Sequence, residues 1–238
     1  MADYLLIHGA WHGRWCWEST IQGLQQAGHR ARAIDLPGQG DDPTPAAGIG
    51  LGTWIDCVVE ELRTYPSPPV LVGHSMGGMV ITGAADAVPE HVARAVYLCA
   101  FLPQDGESLF ALVSRPECAK DTALVQEATE DGLCLTVTPQ SARAGFYGLC
   151  PPAAAEAALA RLRPLPLKTV MDPVRLRHAQ PPVPRDYIAC SEDRALPVAL
   201  QRFMAGRSPG ITMQTLAADH SPFLSAPDAL LRALQNQL

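Results

Sequence analysis

Two short runs, Val70-Leu71-Val72 and residues 95–100 ("AVYLCA"), are apolar at every position rather than at every second one. Strands that bury both faces read this way, and they belong to parallel sheets covered by helices on both sides. Longer segments of helical character separate such runs. Residues 14–27 form one, stopped by Gly28. In the next, Ile55, Val58, Val59 and Leu62 fall at i, i+3, i+4 and i+7, with Thr53 as the expected N-cap. Further helices are expected over 76–87, 197–204 and 225–238, and further strands over 4–7, 29–36, 185–193 and 211–216. Strand and helix in this alternation predict an α/β fold with a doubly wound, mainly parallel sheet. Right-handed crossovers then bring all the strand C-termini to one edge.

The alternation breaks near Pro103. About 80 residues follow without a convincing buried strand, a length unlike an ordinary loop in a compact domain. They include a candidate amphipathic helix over 151–163 and a proline-rich return (Pro164, Pro166, Pro173, Pro181, Pro182, Pro184). This predicts a core made of 1–103 and 185–238, with a small helical cap or lid inserted over 104–184.

Charge narrows the partners. Eighteen Lys and Arg against 24 Asp and Glu give a net charge of −6, with no basic patch. Nucleic acid and anionic membrane are therefore poor partners. No apolar run approaches the roughly 18 residues of a membrane span. The N-terminus has neither a basic segment nor a small-residue cleavage site, so a soluble, cytoplasmic chain is expected. The seven cysteines (Cys16, Cys57, Cys99, Cys118, Cys134, Cys150, Cys190) are odd in number and form no CxxC pair. Scattered reduced thiols are expected, not a disulfide framework or a zinc site.

Between the predicted strand at 70–72 and the helix at 76–87 stands "GHSMG", Gly73 to Gly77, a match to G-x-S-x-G. In a strand–turn–helix context this pattern holds a serine on a strained turn with its Oγ exposed. Side chains at the flanking glycines would collide with neighbouring backbone. Ser75 is therefore the candidate nucleophile. A serine hydroxyl needs a base, and on this architecture the chain order is Ser, acid, His. Of His91, His178 and His220, only His220 follows the last strand, on the edge that carries Ser75. His91 sits at a helix end and His178 in a basic, proline-rich segment. The acid should end the preceding strand, where "CSED" supplies Glu192 and Asp193; Asp193 is favoured, with Glu192 the competitor. Asp219 adjoins His220, diverges from it, and reads as a loop cap. Two oxyanion donors are expected: the backbone N–H of Met76, at a helix N-terminus, and that of Ala10, in the loop after the first strand.

Together "HGAWHGRWCW", "DLPGQG", "GHSMGG", "CSEDRALP" and "ADHSPFLSAP" resemble the α/β-hydrolase superfamily. The likeness is to its compact branch of plant methylesterases, hydroxynitrile lyases and bacterial esterases, some of them pyrethroid-cleaving. It covers nearly the whole chain and is weakest in the cap. It implies the roles above for Ser75, Asp193, His220, Ala10 and Met76, and supports Asp193 over Glu192. It also implies a serine carboxylesterase that needs no metal or cofactor, acts on a small-molecule ester, and leaves a homodimer open. The lyases of this branch carry a lysine after the catalytic histidine and a threonine beside the first oxyanion donor. Ser221 and Gly9 stand there here, which favours ester hydrolysis. Cyanohydrin cleavage on the same triad and a non-catalytic binding role remain the alternatives. Leu109, Phe110, Leu124, Phe146 and Tyr147 are candidates for either the substrate pocket or the cap's own core. Gln39 in "DLPGQG" receives no role.

Overall fold

The computed structural model describes residues 1–117 and 122–236. Its main sheet is built from β1 (Asp3–Ile7), β2 (Arg30–Ile34), β3 (Val70–His74) and β4 (Arg94–Leu98), and from two later strands, β8 (Arg185–Cys190) and β9 (Thr212–Leu216). The strand order is β2-β1-β3-β4-β8-β9, and every neighbouring pair is parallel. The uniformly apolar runs occupy the centre of this sheet, where Leu71, Val72 and every residue from Ala95 to Ala100 are fully buried. The edge strand β2 alternates instead: Arg30 and Arg32 are exposed and Ala31 is buried.

Helices α1 (Glu18–Gln26), α2 (Leu51–Leu62) and α3 (Gly77–Ala87) connect the first four strands. The chain runs from β1 outward to β2, then returns to the other side of β1 as β3. The loops after β1 and β3 thus leave adjacent strands at a topological switch point, where open α/β sheets form their crevice. Helix α2 begins three residues earlier than expected. Gly50 is the N-cap, and Thr53 is the third helical residue, its Oγ1 accepting a hydrogen bond from Gly50 N–H at 3.3 Å. Thr53 therefore serves the helix start from inside the first turn.

Between β4 and β8 the chain forms α4 (Leu109–Val113), α5 (Pro139–Phe146), α6 (Pro152–Leu159) and α7 (Leu167–Met171). It also forms a small antiparallel sheet, β5 (Gln126–Ala128), β6 (Cys134–Val137) and β7 (Leu165–Pro166), that joins the expected helices. Its strands are two to four residues long, and β5 is exposed throughout, so no buried apolar run announced them. The helix expected over 151–163 ends at Leu159. This segment is fastened over the carboxyl edge of the main sheet. Trp11 Nε1–H donates to the Leu135 carbonyl at 2.9 Å, and Gln39 Nε2–H donates to that of Pro164 at 2.8 Å. Fully buried Gln39 thus ties the "DLPGQG" turn to the cap.

After β8 come α8 (Val198–Gly206), α9 (Pro222–Ser225) and α10 (Pro227–Gln235), which closes the described chain; Leu238 lies outside the described residues. The six cysteines among the described residues are free; Cys118 lies outside them. No helix of the described residues is long and apolar enough to cross a membrane.

Candidate active site

Ser75 follows β3 with φ of 53°, in the left-handed region that side chains avoid. Such a residue costs about 1–3 kcal/mol and persists only where its surroundings hold it. Here they do: Ser75 N–H donates to Leu98, and Ser75 C=O accepts from Gly78 N–H at 3.0 Å and Phe101 N–H at 2.9 Å. The glycines are sterically required. A Cβ on Gly73 would lie 2.8 Å from Gly77 O, one on Gly77 2.7 Å from His8 O, and one on Gly78 2.0 Å from Phe101 O.

His220 lies in the loop after β9, and its ring is engaged on both sides. Nδ1 is 2.7 Å from Asp193 Oδ2 and Nε2 is 2.9 Å from Ser75 Oγ. A carboxylate only accepts, so Nδ1 carries the proton and the Nε2 lone pair receives the serine O–H. Asp193 is itself immobilised. Oδ1 accepts from Ala195 and Leu196 N–H, each at 2.8 Å, and Oδ2 accepts also from Gln201 Nε2–H at 3.2 Å. Glu192 turns away and accepts from the Ser191 hydroxyl. Asp219 is a loop cap, as its position implied: it accepts from Ser221 N–H, the Ser225 hydroxyl and Leu149 N–H. His178 lies across the fold, its Nδ1 2.9 Å from the buried Asp86 carboxylate.

The loop after β1 brings Ala10 beside Ser75 and Met76 in the lining of one cavity. Among the described residues, the N–H groups of Ala10 and Met76 have no hydrogen-bond partner. The carbonyls around Ala10 N–H are held by two buried histidines, His8 Nδ1 on Gly9 O and His12 Nδ1 on Ala10 O, each at 2.8 Å. Burial holds both rings below the usual histidine range, His12 down to about 3. A Cβ on Gly9 would lie 2.7 Å from Ser75 Cβ, so this loop presses directly on the turn that carries Ser75.

Three side chains here escaped the motif search. His74 Nε2–H donates to the His220 carbonyl at 2.7 Å, and burial, reinforced by the neighbouring His220 and His12, pushes its pKa well below the usual value. Gln201 bridges Asp193 to the end of β8, accepting from Cys190 N–H at 3.1 Å and donating to Leu196 O at 2.7 Å. Its signal was a glutamine on the buried stripe of α8, beside Leu200, Met204 and Ala205. His12 was visible only as part of "HGAWHG". Among the described residues, His74, Cys99 and His220 bring ligand-type atoms within 4.8 Å of one another. Both His220 nitrogens are already bound to Asp193 and Ser75, so the trio does not fit a metal.

The cavity above Ser75 has a volume of about 200 Å³. Trp11, Phe101 and Phe146 give it aromatic walls, and Leu109, Val113, Leu124 and Leu196 aliphatic ones. Thr122 and Gln126 are its uncharged polar groups outside the Ser75–His220 pair, and no acidic or basic residue lines it among the described residues. Of the five pocket candidates, Leu109, Leu124 and Phe146 line it. Phe110 is half exposed and does not, and Tyr147 is buried behind the wall with its hydroxyl 2.8 Å from His12 Nε2.

The model of the alpha/beta hydrolase family matches residues 4–233. Methylesterase 1 of Arabidopsis thaliana is 30% identical over 244 residues, covering 95% of this chain and 92% of that one. A carbendazim hydrolyzing esterase of Nocardioides sp. (strain SG-4G) is 42% identical over 121 residues, 48% of each chain. The solved structure of a pyrethroid hydrolase from Sphingobium faniae JZ-2 superposes with a TM-score of 0.86 at 26% identity, covering 99% of this chain and 96% of that one.

Proposed function

The chain belongs to the alpha/beta hydrolase family, and on that footing we propose that it hydrolyses carboxylic esters through an acyl-enzyme on Ser75. The observation that carries this reading is the imidazole of His220, bonded at once to Ser75 Oγ and Asp193 Oδ2. The printed names of the relatives support it: methylesterase, carbendazim hydrolyzing esterase and pyrethroid hydrolase.

Ser75 Oγ attacks the ester carbonyl carbon while its proton passes to His220 Nε2. Asp193 holds the Nδ1–H and stabilises the imidazolium without taking its proton. The carbonyl oxygen becomes an oxyanion and receives the N–H groups of Ala10 and Met76. Loss of one such donor typically costs about 3–4 kcal/mol of transition-state stabilisation. Collapse of the tetrahedral centre breaks the bond to the alkoxy oxygen, which leaves as the alcohol with the proton from His220. Water then attacks the acyl carbon, His220 takes its proton, and the carboxylic acid departs from Ser75.

The substrate is an uncharged, hydrophobic ester of small to medium size. A charged group in this cavity would lose its hydration with no counter-charge among the described lining residues. Lyase chemistry is disfavoured, since Gly9 and fully buried Ser221 stand where cyanohydrin cleavage uses a threonine and a lysine.

The test is p-nitrophenyl acetate hydrolysis by the wild type and Ser75→Ala. Wild-type turnover that the variant loses supports the reading; equal rates overturn it. Mandelonitrile should release no cyanide above background.

A further inference from the structure

His12 is almost fully buried, yet it lies outside the Ser75–His220–Asp193 set. Its Nδ1 is 2.8 Å from the Ala10 carbonyl, and its Nε2 is 2.8 Å from the Tyr147 hydroxyl. The tautomer follows from the partners. A carbonyl only accepts, so Nδ1 carries the hydrogen. A neutral ring then leaves a lone pair on Nε2, and the Tyr147 O–H donates to it. The bond sequence runs Tyr147 O–H to His12, then His12 N–H to the carbonyl of Ala10.

The backbone at this point is strained. Trp11 has φ of 61°, again in the left-handed region. Its indole is bonded to Leu135 O and its carbonyl accepts from Arg163 N–H at 2.9 Å, both partners in the cap. The backbone one residue past the Ala10 donor is thus held in a costly conformation by bonds that cross from core to cap.

Tyr147 sits at the C-terminal end of α5, next to Phe146. Phe146 lines the cavity and stacks on the His220 ring at 5.5 Å. Two residues beyond Tyr147, Leu149 N–H donates to Asp219 Oδ2 at 2.8 Å, in the loop that carries His220. One cap turn, residues 146–149, therefore touches both the oxyanion loop and the base.

Building on the esterase reading, we infer that His12 and Tyr147 are positioning residues, through which the seated cap sets the direction of the Ala10 N–H in the oxyanion hole. Packing alone does not ask for this pair. The ring of His12 lies among those of Trp15, Phe146 and Phe223, where an apolar pair of the same shape would sit at little cost.

The test compares kcat and KM for p-nitrophenyl acetate, and inhibition by an uncharged trifluoromethyl ketone that forms a hemiketal oxyanion. The proteins are the wild type, Tyr147→Phe, His12→Asn and His12→Gln. Asn Nδ2 can replace Nδ1 on Ala10 but cannot reach Tyr147. Gln Oε1 can accept from Tyr147 but leaves Ala10 O unheld. His12→Gln is expected to lower kcat about 30-fold, part of the loss from deleting one donor, with KM within about twofold. Tyr147→Phe and His12→Asn, which keep a donor on the Ala10 carbonyl and lose only the bond to the cap, should each lose about threefold. Ketone affinity should fall in step with kcat, which a general loss of packing would not produce. Both His12 variants remove the ring, so their shared packing cost cancels in that ordering. Unchanged kcat in all variants, or His12→Gln at or above His12→Asn, would overturn the inference and leave the esterase reading standing. Absence of Ser75-dependent turnover in the wild type would overturn both.

Discussion

Asp193 Oδ2 and His220 Nδ1 meet at 2.7 Å, although 27 positions separate them in the chain. They meet because β8 and β9 are adjacent and parallel, with Cys190 opposite Leu216. Asp193 lies three residues past one strand end and His220 four past the other. Their separation is thus a property of sheet register.

Asp193→Asn should preserve the fold and abolish most turnover. The asparagine oxygen can still accept from Ala195 and Leu196 N–H, while its amide faces His220 Nδ1 and imposes the wrong tautomer. A loss of about 10³–10⁴-fold in kcat is expected, with an unchanged circular dichroism spectrum. Retention of a tenth of wild-type kcat would argue against Asp193 as the orienting acid.

Gln201→Leu removes the side chain that braces Asp193 and leaves Cys190 N–H buried without its acceptor. An unsatisfied buried donor costs about 1–3 kcal/mol. For a chain of this size that lowers the melting temperature by about 2–12 °C. Steady-state kinetics should show kcat falling with it. A stable variant of normal kcat would mean that Asp193 needs no such brace.

Gly78→Ala places a Cβ 2.0 Å from Phe101 O, between rigid backbones. Soluble, cooperatively folding protein should be lost. Gly52→Ala is the contrasting case: it lies in α2 with nothing within 4 Å of an added Cβ. There the change should be neutral or stabilise by about 1 kcal/mol. Thermal melts of the two variants side by side check both statements.

Acid should unfold this protein steeply. His8, His12 and His74 all have folded-state pKa values lowered by burial, His12 to about 3. The unfolded chain takes up those protons near pH 6.5, and the folded chain does not. Stability is therefore full above about pH 6.5 and falls as pH drops below it, His12 alone contributing about 1.4 kcal/mol per pH unit. Urea midpoints at pH 7 and pH 5 measure the slope, and His12→Asn should make it shallower. A midpoint unchanged between those pH values would contradict the assignment.

A charged acyl group should be rejected. Replacing p-nitrophenyl butyrate with p-nitrophenyl hemisuccinate puts a carboxylate against walls of Leu109, Val113, Leu124 and Leu196. A fall of about 10²-fold or more in kcat/KM is expected from uncompensated desolvation. Comparable values would point to a cation at the cavity that the described lining lacks.

Much of the frame was legible because it rests on local signals. The fully apolar runs at 70–72 and 95–100 lie in the centre of the sheet, and the glycines at 73, 77 and 78 stand where a Cβ would strike backbone. The start of α2 was misplaced by three residues because a capping threonine at the third helical position carries the same local chemistry as one at the N-cap. Strands β5 to β7 were invisible because two to four residues are too few to show a hydrophobic period. Gln201, His74 and His12 were unassigned because a buried polar residue is recognised by its partners, and those partners lie far away in sequence.

The sequence by itself determined the alternation of strand and helix, the glycine-walled turn at Ser75 and the chain order of serine, acid and histidine. Each depends on backbone sterics or side-chain chemistry within a few residues. Only the tertiary structure decided that Asp193 rather than Glu192 faces His220, that Gln201 braces it, and that His12 joins the Ala10 loop to Tyr147. These are matters of strand register and cap docking, in which directions a few ångströms apart decide which atoms share a hydrogen bond.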